Sequence, residues 1–258
     1  MLPIWVSFLL ITTLLTLSTW GVIVWAGKYG KLLYGEPFAM ILYVIGGNSP
    51  PIAAFICWAI YKTHEGTCSA LKYCFKVKDH WTKYVLALFF LVLHFVLPAV
   101  LGCISVIDSF WIGLVAFPIM IIGGGLEEIG WRGLLIPAWA EIMPFYLSNL
   151  ILAPVWSLWH LPLFFFKGTV QFGTSFWYFC LTVTGTSFSL GALRQITDNT
   201  WICILYHAYV NSFYLSFKIE HKWYLVFAPL VQVIISITLV HFIKPKKEME
   251  AIEFGQKE

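Results

Sequence analysis

Charged residues are scarce in this sequence. Asp, Glu, Lys and Arg together make up 11% of the 258 residues, whereas hydrophobic residues make up 60%. A soluble domain carries about 25% charged residues, so the composition excludes an ordinary soluble globular protein. The formal net charge is only +3, which does not indicate nucleic acid as a partner. The long apolar runs instead predict an integral membrane protein whose surroundings are the lipid bilayer.

Several other patterns are missing. The six cysteines include no Cys-x-x-Cys pair, so neither a disulfide framework nor a zinc ribbon is indicated. The His-Glu-x-x-His signature of zinc peptidases is absent. Internal repeats, low-complexity tracts and a separable soluble domain are not evident either. We therefore expect a single integral-membrane domain over residues 1–258, ending in a charged cytoplasmic tail at 244–258.

Apolar runs of about 20 residues are long enough to cross a bilayer as helices, and the chain has about eight of them. This predicts an all-α, polytopic fold. The predicted spans are Pro3–Ala26, Phe38–Tyr61, Tyr84–Val106, Phe110–Gly124, Leu147–Phe166, Ser175–Leu193, Trp201–Phe217 and Trp223–Ile243. The second is interrupted by glycines and prolines and should kink. The fourth is short, so we expect the acidic stretch after Gly125 to continue it past a break.

The distribution of basic residues predicts the orientation in the membrane. An even number of spans places both termini on one side. The loop Lys62–Lys83 and the tail after Lys244 are rich in lysine, and the loops of the other side carry fewer basic residues. The positive-inside rule then places both termini in the cytoplasm. We expect the membrane to be a bacterial plasma membrane.

The segment Phe117–Ile136 is otherwise as apolar as a transmembrane helix, yet it contains Glu127, Glu128 and Arg132. Each ionisable side chain at the centre of a bilayer costs at least about 2.5–3.5 kcal/mol on insertion scales, so three in six residues require a reason. On a helix Glu128 and Arg132 are four apart, share a face and can pair. Glu127 points about 100° away from that face. We interpret Glu127 as the working carboxylate and the Glu128–Arg132 pair as its support.

Besides His94, which we interpret as a helix–helix hydrogen-bonding residue, three more polar residues lie within predicted spans. His160 lies in the fifth span, and His207 and Asn211 lie four apart on one face of the seventh. A carboxylate beside an imidazole can hold a water and accept its proton. A second imidazole and a carboxamide can stabilise the oxyanion that forms when water adds to an amide carbonyl. Together with Glu127, these residues have the chemistry of water-based peptide hydrolysis.

Two other uses of the same residues remain open at this point. Glu127, His160 and His207 offer the two-histidine, one-carboxylate set of zinc peptidases, although nothing in their spacing demands zinc. We therefore expect no cofactor, with zinc as the alternative. The Glu-Glu-x-x-x-Arg cluster could also be a structural ion pair or part of a transport pathway in a non-catalytic transporter or membrane scaffold.

The motifs resemble those of the CPBP family, which comprises CAAX prenyl proteases and bacteriocin-processing or immunity proteins. Glu127, Glu128 and Arg132 match its EExxxR motif, His160 matches the histidine of an aromatic-xxx-His motif, and His207 with Asn211 matches HxxxN. The resemblance covers about Trp111–Phe217, which we take as the catalytic core 111–217. The family's second motif usually begins with Phe, whereas Trp156 stands here; this difference bears on the size of the substrate pocket.

The resemblance implies an intramembrane endopeptidase of the type II CAAX kind, with a catalytic cavity enclosed by its transmembrane helices. In that family's terms Glu127 and His160 activate water, while His207 and Asn211 form the oxyanion site. Glu128 and Arg132 support them. The substrate is expected to be a peptide or a membrane-associated protein, with or without a lipid. A bacteriocin self-immunity protein that uses the same site is an alternative role.

Overall fold

A computed structural model describes residues 2–220 and 222–243. Helices dominate this part of the chain, which confirms the all-α prediction, and the predicted tail 244–258 lies outside the described residues. The α-helices are labelled in chain order as α1 (Ile4–Thr16), α2 (Val22–Lys28), α3 (Pro37–Gly47), α4 (Ser49–Tyr61), α5 (Thr67–Cys74), α6 (Trp81–Val100), α7 (Phe110–Met120), α8 (Glu127–Gly130), α9 (Ile136–Ala140), α10 (Phe145–Trp159), α11 (Phe176–Thr197), α12 (Thr200–Phe213) and α13 (Phe227–Phe242).

Several α-helices are joined by helical turns of another pitch. Turns of π-helix occur at Leu17–Gly21, between α1 and α2, at Ile121–Gly125, before α8, and at Trp131–Leu135, between α8 and α9. The turn Ile121–Gly125 is kinked, because the φ and ψ angles of Gly123 and Gly124 are not helical. Short 3₁₀-helices follow α10 at Leu161–Phe165 and precede α13 at Trp223–Val226. A π-helical turn inserts one extra residue into a helix and is frequent at functional sites. Two of these turns flank the acidic pair on α8.

Five helical stretches are long and apolar enough to span a membrane, and two bent pairs raise the number to as many as seven. The five stretches are Ile4–Lys28, Trp81–Val100, Phe145–Phe165, Phe176–Thr197 and Trp223–Phe242. The chain is therefore a polytopic membrane protein, as predicted. The expected number was about eight. The difference is the predicted span Trp201–Phe217, because its helix α12 has 14 residues and lies largely buried among the others.

Both bent pairs lie where the sequence predicted a break. Helices α3 and α4 meet at an angle of 53°, and the two prolines of α4 occupy its first turn, where a missing N–H is tolerated. The stretch Phe110–Gly125 meets Glu127–Ala140 at 40°. Gly124 lies in that bend with φ of +155° and ψ of −40°, a conformation that side chains with a Cβ rarely adopt. The glycine-rich turn thus aims the acidic helix in a new direction.

Two short strands correct the ends of two predicted spans. The third predicted span was extended to Val106, but α6 ends at Val100 and Ile104–Val106 forms strand β1. Gly102, with φ of +61°, ends the helix there. Strand β2 (Phe217–Ile219) pairs antiparallel with β1, Val106 opposite Phe217. The sheet therefore ties the end of α6 to the segment that follows α12.

Helix α12 lies at the centre of the bundle. It contacts α6, α7, α8 and α11, and it also packs against the π-helical turn that precedes α8. Ile202, Cys203, Ile204 and Ala208 of this helix are fully buried. Helix α8 packs against α4 on another side, while α10 packs against α11. The three elements that carry the predicted site residues (α8, the end of α10 and α12) thus converge in the interior.

Candidate active site

An ion-pair cluster joins the acidic helix to α12. Arg132 and Glu128 are both fully buried, with Nη1 of the arginine 3.0 Å from Oε2 of the glutamate. On the other side of Glu128, Nδ1–H of His207 donates to Oε1 over 2.8 Å. The i,i+4 pairing predicted from the sequence is therefore present, and it has a third member. Because Nδ1 donates to the carboxylate, Nε2 of His207 faces away from Glu128.

Arg132 has further partners that satisfy its buried charge. Its Nη2 donates to the carbonyl oxygen and to Oγ of Ser187 on α11, over 3.3 and 3.2 Å. The guanidinium also lies 4.8 Å from the ring centre of Trp156, within the range of a cation–π contact. A buried charge is tolerated only when it is paired and hydrogen-bonded. Arg132 therefore fixes the position of Glu128 and, through it, of His207.

Glu127 has a different environment from Glu128. Its Oε2 accepts a hydrogen bond of 2.9 Å from the indole N–H of Trp156, and the side chain is 5% exposed. Among the described residues it forms no ion pair with a lysine, arginine or histidine. The helical separation of about 100° between the two glutamates therefore gives one of them charged partners and the other an uncharged donor.

His160 directly follows the last residue of α10 and precedes the 3₁₀-helix Leu161–Phe165. Its Nδ1 lies 3.0 Å from the carbonyl oxygen of Trp156. A carbonyl oxygen only accepts, so Nδ1 carries the proton and Nε2 of the neutral ring presents a lone pair. The rings of Trp159 and Phe179 pack against the imidazole, at centroid distances of 4.5 and 5.0 Å. This aromatic packing fixes the orientation of the ring.

Asn211 lies beside the glycine-rich bend. Its Nδ2 donates to the carbonyl oxygen of Gly123 over 3.3 Å. A Cβ on the neighbouring Gly124 would lie 2.1 Å from that Nδ2 and 3.4 Å from Nε2 of His207. The backbone at Gly124 therefore passes directly against both side chains of the predicted oxyanion pair. Only glycine leaves room for this approach.

Trp156 contacts Glu127, His160, Arg132 and His207, which come from different sequence motifs. Its indole N–H holds Glu127, its carbonyl oxygen holds His160, and its ring packs against Arg132 and against the imidazole of His207 at 5.2 Å. The sequence predicted a glutamate directly beside an imidazole. Among the described residues Glu127 and His160 share no hydrogen bond; they are instead bound to opposite ends of this tryptophan.

Two contributors to the site were not identified from the sequence. Trp156 was interpreted as an aromatic wall, and its N–H as a donor was missed; a tryptophan within a polar cluster is the available signal. Ser187 belongs to no motif and gave no signal. His94, by contrast, is hydrogen-bonded to the hydroxyl of Tyr214 over 2.8 Å. This is the helix–helix role that an isolated membrane histidine usually has.

The end of the acidic helix is fixed by a second arginine. Nε of Arg194 on α11 donates to the carbonyl oxygen of Arg132 over 3.0 Å, and its guanidinium pairs with Asp198. The hydroxyl of Tyr73 accepts from Nη2 of Arg194 and donates to the carbonyl oxygen of Gly133. These bonds satisfy backbone carbonyls around the π-helical turn, where the regular helical pattern is interrupted.

The donor set does not fit a metal ion. Within residues 2–220 and 222–243, no three His, Cys, Asp or Glu side chains are grouped so that they could hold one. We therefore derive no step of the chemistry through zinc.

Comparison with known proteins gives two matches. A family model described as type II CAAX prenyl endopeptidase Rce1-like matches residues 109–213. The CAAX prenyl protease 2 of Methanococcus maripaludis is 29% identical over 89 residues, which make up 33% of this chain and 31% of that protein. The chain thus matches about a third of the length of this curated relative. All six predicted site residues lie within the segment that the family model matches.

Proposed function

We propose that the protein is an intramembrane endopeptidase of the CPBP family that hydrolyses a peptide bond with water; the match of residues 109–213 to the Rce1-like family model supports this proposal. The observation that carries the proposal is the difference between the two glutamates. Glu128 is neutralised by Arg132 and bound by His207, whereas Glu127 accepts only from an indole N–H among the described residues. Glu127 is the carboxylate left to accept a proton.

The first step is the addition of water to the amide carbonyl. The carboxylate of Glu127 accepts one proton of the water while Nε2 of His160, which presents a lone pair, accepts a hydrogen bond from the other. A C–O bond forms as the water oxygen attacks the carbonyl carbon, and the carbonyl electrons move to its oxygen. When the tetrahedral intermediate collapses, the C–N bond breaks and Glu127 returns its proton to the leaving amine.

His207 and Asn211 stabilise the oxyanion of that intermediate. The amide of Asn211 has two N–H groups, so it can donate to an oxyanion in addition to Gly123. Nε2 of His207 donates only when the ring is protonated on both nitrogens, because Nδ1–H is already directed at Glu128. The carboxylate of Glu128 stabilises this imidazolium form, which explains why a buried glutamate supports the oxyanion site.

The proposed substrate is a peptide or a membrane-associated protein, and proteins that carry a covalent lipid belong to this class. The related protein of Methanococcus maripaludis is named as a CAAX prenyl protease. A farnesylated peptide that ends in a Cys-aliphatic-aliphatic-X sequence is therefore the first substrate to assay. Because His160 lies in a helical stretch that is long and apolar enough to span a membrane, and Glu127 lies in a bent pair that passes the same test, the cleaved bond must reach the bilayer interior or its surface.

We propose that the protein lies in a bacterial plasma membrane with both termini in the cytoplasm, which requires the short, buried helix α12 to cross in addition to the seven candidate spans. The basic loop and the α11–α12 turn lie together, since Nζ of Lys83 donates to the carbonyl oxygen of Thr197 and Arg194 contacts Tyr73. This supports the placement of both basic segments on one side of the membrane.

Cys68 is exposed in the same loop. A maleimide that cannot cross membranes should label Cys68 only after the cells are permeabilised. Labelling of Cys68 in intact cells would indicate the opposite orientation in the membrane.

The decisive experiment is the replacement Glu127→Gln, which keeps the shape of the side chain and removes its ability to accept a proton as a carboxylate. We expect cleavage of the farnesylated peptide to fall by about 100- to 10,000-fold. Glu141→Gln is the matched control, because Glu141 is an exposed residue directly after α9. Full activity in a correctly folded Glu127→Gln protein would exclude the proposed mechanism and favour a non-catalytic role for the cluster.

A further inference from the structure

We infer that Trp156 is a positioning residue for the catalytic carboxylate: its indole N–H fixes one oxygen of Glu127 and favours the charged form of the side chain. The catalytic part of this inference, the positioning of a working carboxylate, rests on the proposed function. The part that concerns the protonation of Glu127 does not depend on the proposed function. The two parts can be tested separately.

The geometry separates the indole N–H of Trp156 from its other contacts. The N–H donates to Oε2 of Glu127 over 2.9 Å, and the side chain is 2% exposed, so water does not replace this donor freely. The contact with Arg132 is made by the ring, and the bond to His160 is made by the backbone carbonyl. A substitution that keeps an aromatic ring therefore removes the bond to Glu127 and leaves the other two kinds of contact available.

The bond has two physical consequences for Glu127. A donor directed at a carboxylate stabilises the charged form over the protonated acid, and the effect is strong where water is excluded. The bond also occupies Oε2, so that Oε1 is the oxygen left to face a water molecule. Arg132 and His207 are committed to Glu128, so Trp156 provides the hydrogen bond to Glu127; the indole N–H of Trp131 also lies near this carboxylate but does not meet hydrogen-bond geometry. Its removal should therefore change the protonation of Glu127.

The variants are chosen to separate the N–H from the ring. Trp156→Phe removes the N–H and keeps an aromatic ring. Replacement of Trp156 by benzothienylalanine, which has sulfur in place of the N–H, removes the donor and keeps the indole shape. Trp20→Phe is the matched control: Trp20 is equally buried, and its N–H donates to the carbonyl oxygen of Tyr43 over the same 2.9 Å. It loses one buried hydrogen bond without altering a carboxylate.

The first measurement needs no substrate. Infrared spectra of the purified protein in detergent, recorded across a pH series, contain a carboxylic-acid band that Glu127→Gln abolishes. We expect this band to appear at a pH higher by about one unit or more in both Trp156 variants than in the wild type. The Trp20→Phe protein should match the wild type. The same onset of the band in all proteins, or no such band wherever the fold persists, would overturn the inference.

The second measurement uses the farnesylated peptide. In both Trp156 variants the acidic limb of the kcat profile should move to higher pH, so that activity lost at neutral pH returns in more basic buffer, while KM changes little. A merely structural role would lower activity equally at every pH, and that result would count against the inference. If Glu127→Gln is fully active, the proposed function fails; a displaced infrared band would still establish the role of Trp156.

Discussion

His207 donates from Nδ1 to Oε1 of Glu128 over 2.8 Å, a bond between two residues that lie 79 positions apart in the chain. It joins helix α12 to the acidic helix α8 in the interior of the bundle. It also selects the nitrogen that carries the proton, so that Nε2 is directed toward the backbone at Gly124. In the proposed mechanism the second glutamate of the pair therefore acts on the substrate through this histidine and does not contact the substrate itself.

The balance of charge in this cluster predicts a non-additive effect on stability. Glu128→Gln removes the carboxylate paired with Arg132 and leaves a buried guanidinium without its counter-charge, so the free energy of unfolding should fall by about 3–5 kcal/mol. The double variant Glu128→Gln with Arg132→Met removes both charges. It should therefore lose less stability than the sum of the two single variants.

Thermal or denaturant unfolding in detergent measures the loss of stability in Glu128→Gln, in Arg132→Met and in the double variant. Lys83→Met is the control, because its ion pair with Asp79 involves a lysine side chain that is 26% exposed. A partly exposed pair contributes less than a fully buried one, so a smaller loss is expected there, although Lys83→Met also removes the hydrogen bond to the carbonyl oxygen of Thr197. Strictly additive effects of Glu128→Gln and Arg132→Met would show that the two charges are not coupled.

The sequence predicted the relations that lie within one helix better than those between helices. The four-residue spacing of Glu128 and Arg132 sufficed to predict their pairing, and the different direction of Glu127 followed from the same geometry. The partner of Glu127 lies on α10 and that of Arg132 on α11, and periodicity carries no information about which helices become neighbours. The ends of spans were misplaced where Gly102 and the 14-residue α12 shorten the helices.

The conformation of Gly124 predicts a strong effect from a single methyl group. Gly124→Ala would place a Cβ 2.1 Å from Nδ2 of Asn211 at a φ of +155°, so Asn211 must move and the backbone is strained. We expect cleavage to fall by about 100-fold or more through the loss of an oxyanion donor, with a stability cost of about 1–3 kcal/mol. Kinetics and thermal unfolding measure the two effects.

The adjacent glycine provides the control for that experiment. Gly123 has a φ of −81°, and a Cβ there would lie 3.2 Å from Sδ of Met120, the end of a flexible side chain. Gly123→Ala should therefore be much milder in both measurements. Equal losses in the two variants would indicate that the bend tolerates no added atom at either position and would remove the specific argument for Asn211.

The loop before α6 predicts how stability depends on pH. Burial alone would raise the pKa of Asp79, but hydrogen bonds from Lys83, Asn199 and the backbone N–H of His80 lower it below the ordinary value. A carboxyl group whose pKa is lowered in the folded state stabilises the fold above its unfolded pKa, about 4. This stabilisation is lost as the pH falls through the folded pKa.

Asp79→Asn should therefore weaken the acid dependence of the unfolding free energy and lower the stability near neutral pH. Asp108→Asn is the comparison, since Asp108 is an exposed carboxylate in another loop. Chemical unfolding in detergent between about pH 3 and pH 7 tests this. An acid dependence as steep in Asp79→Asn as in the wild type would contradict the assignment.

The geometry of the donors predicts that catalysis continues without zinc. A catalytic zinc needs three protein ligands, and within residues 2–220 and 222–243 no three His, Cys, Asp or Glu side chains are grouped so that they could provide them. Protein purified in the presence of a strong chelator should therefore cleave the farnesylated peptide as fast as untreated protein, and elemental analysis should find zinc well below one atom per chain. An inhibitor that coordinates metals provides the second measurement. If activity disappears with stoichiometric zinc and returns when zinc alone is restored, Glu127 acts beside a metal and the roles proposed for His160 and His207 must be reassigned.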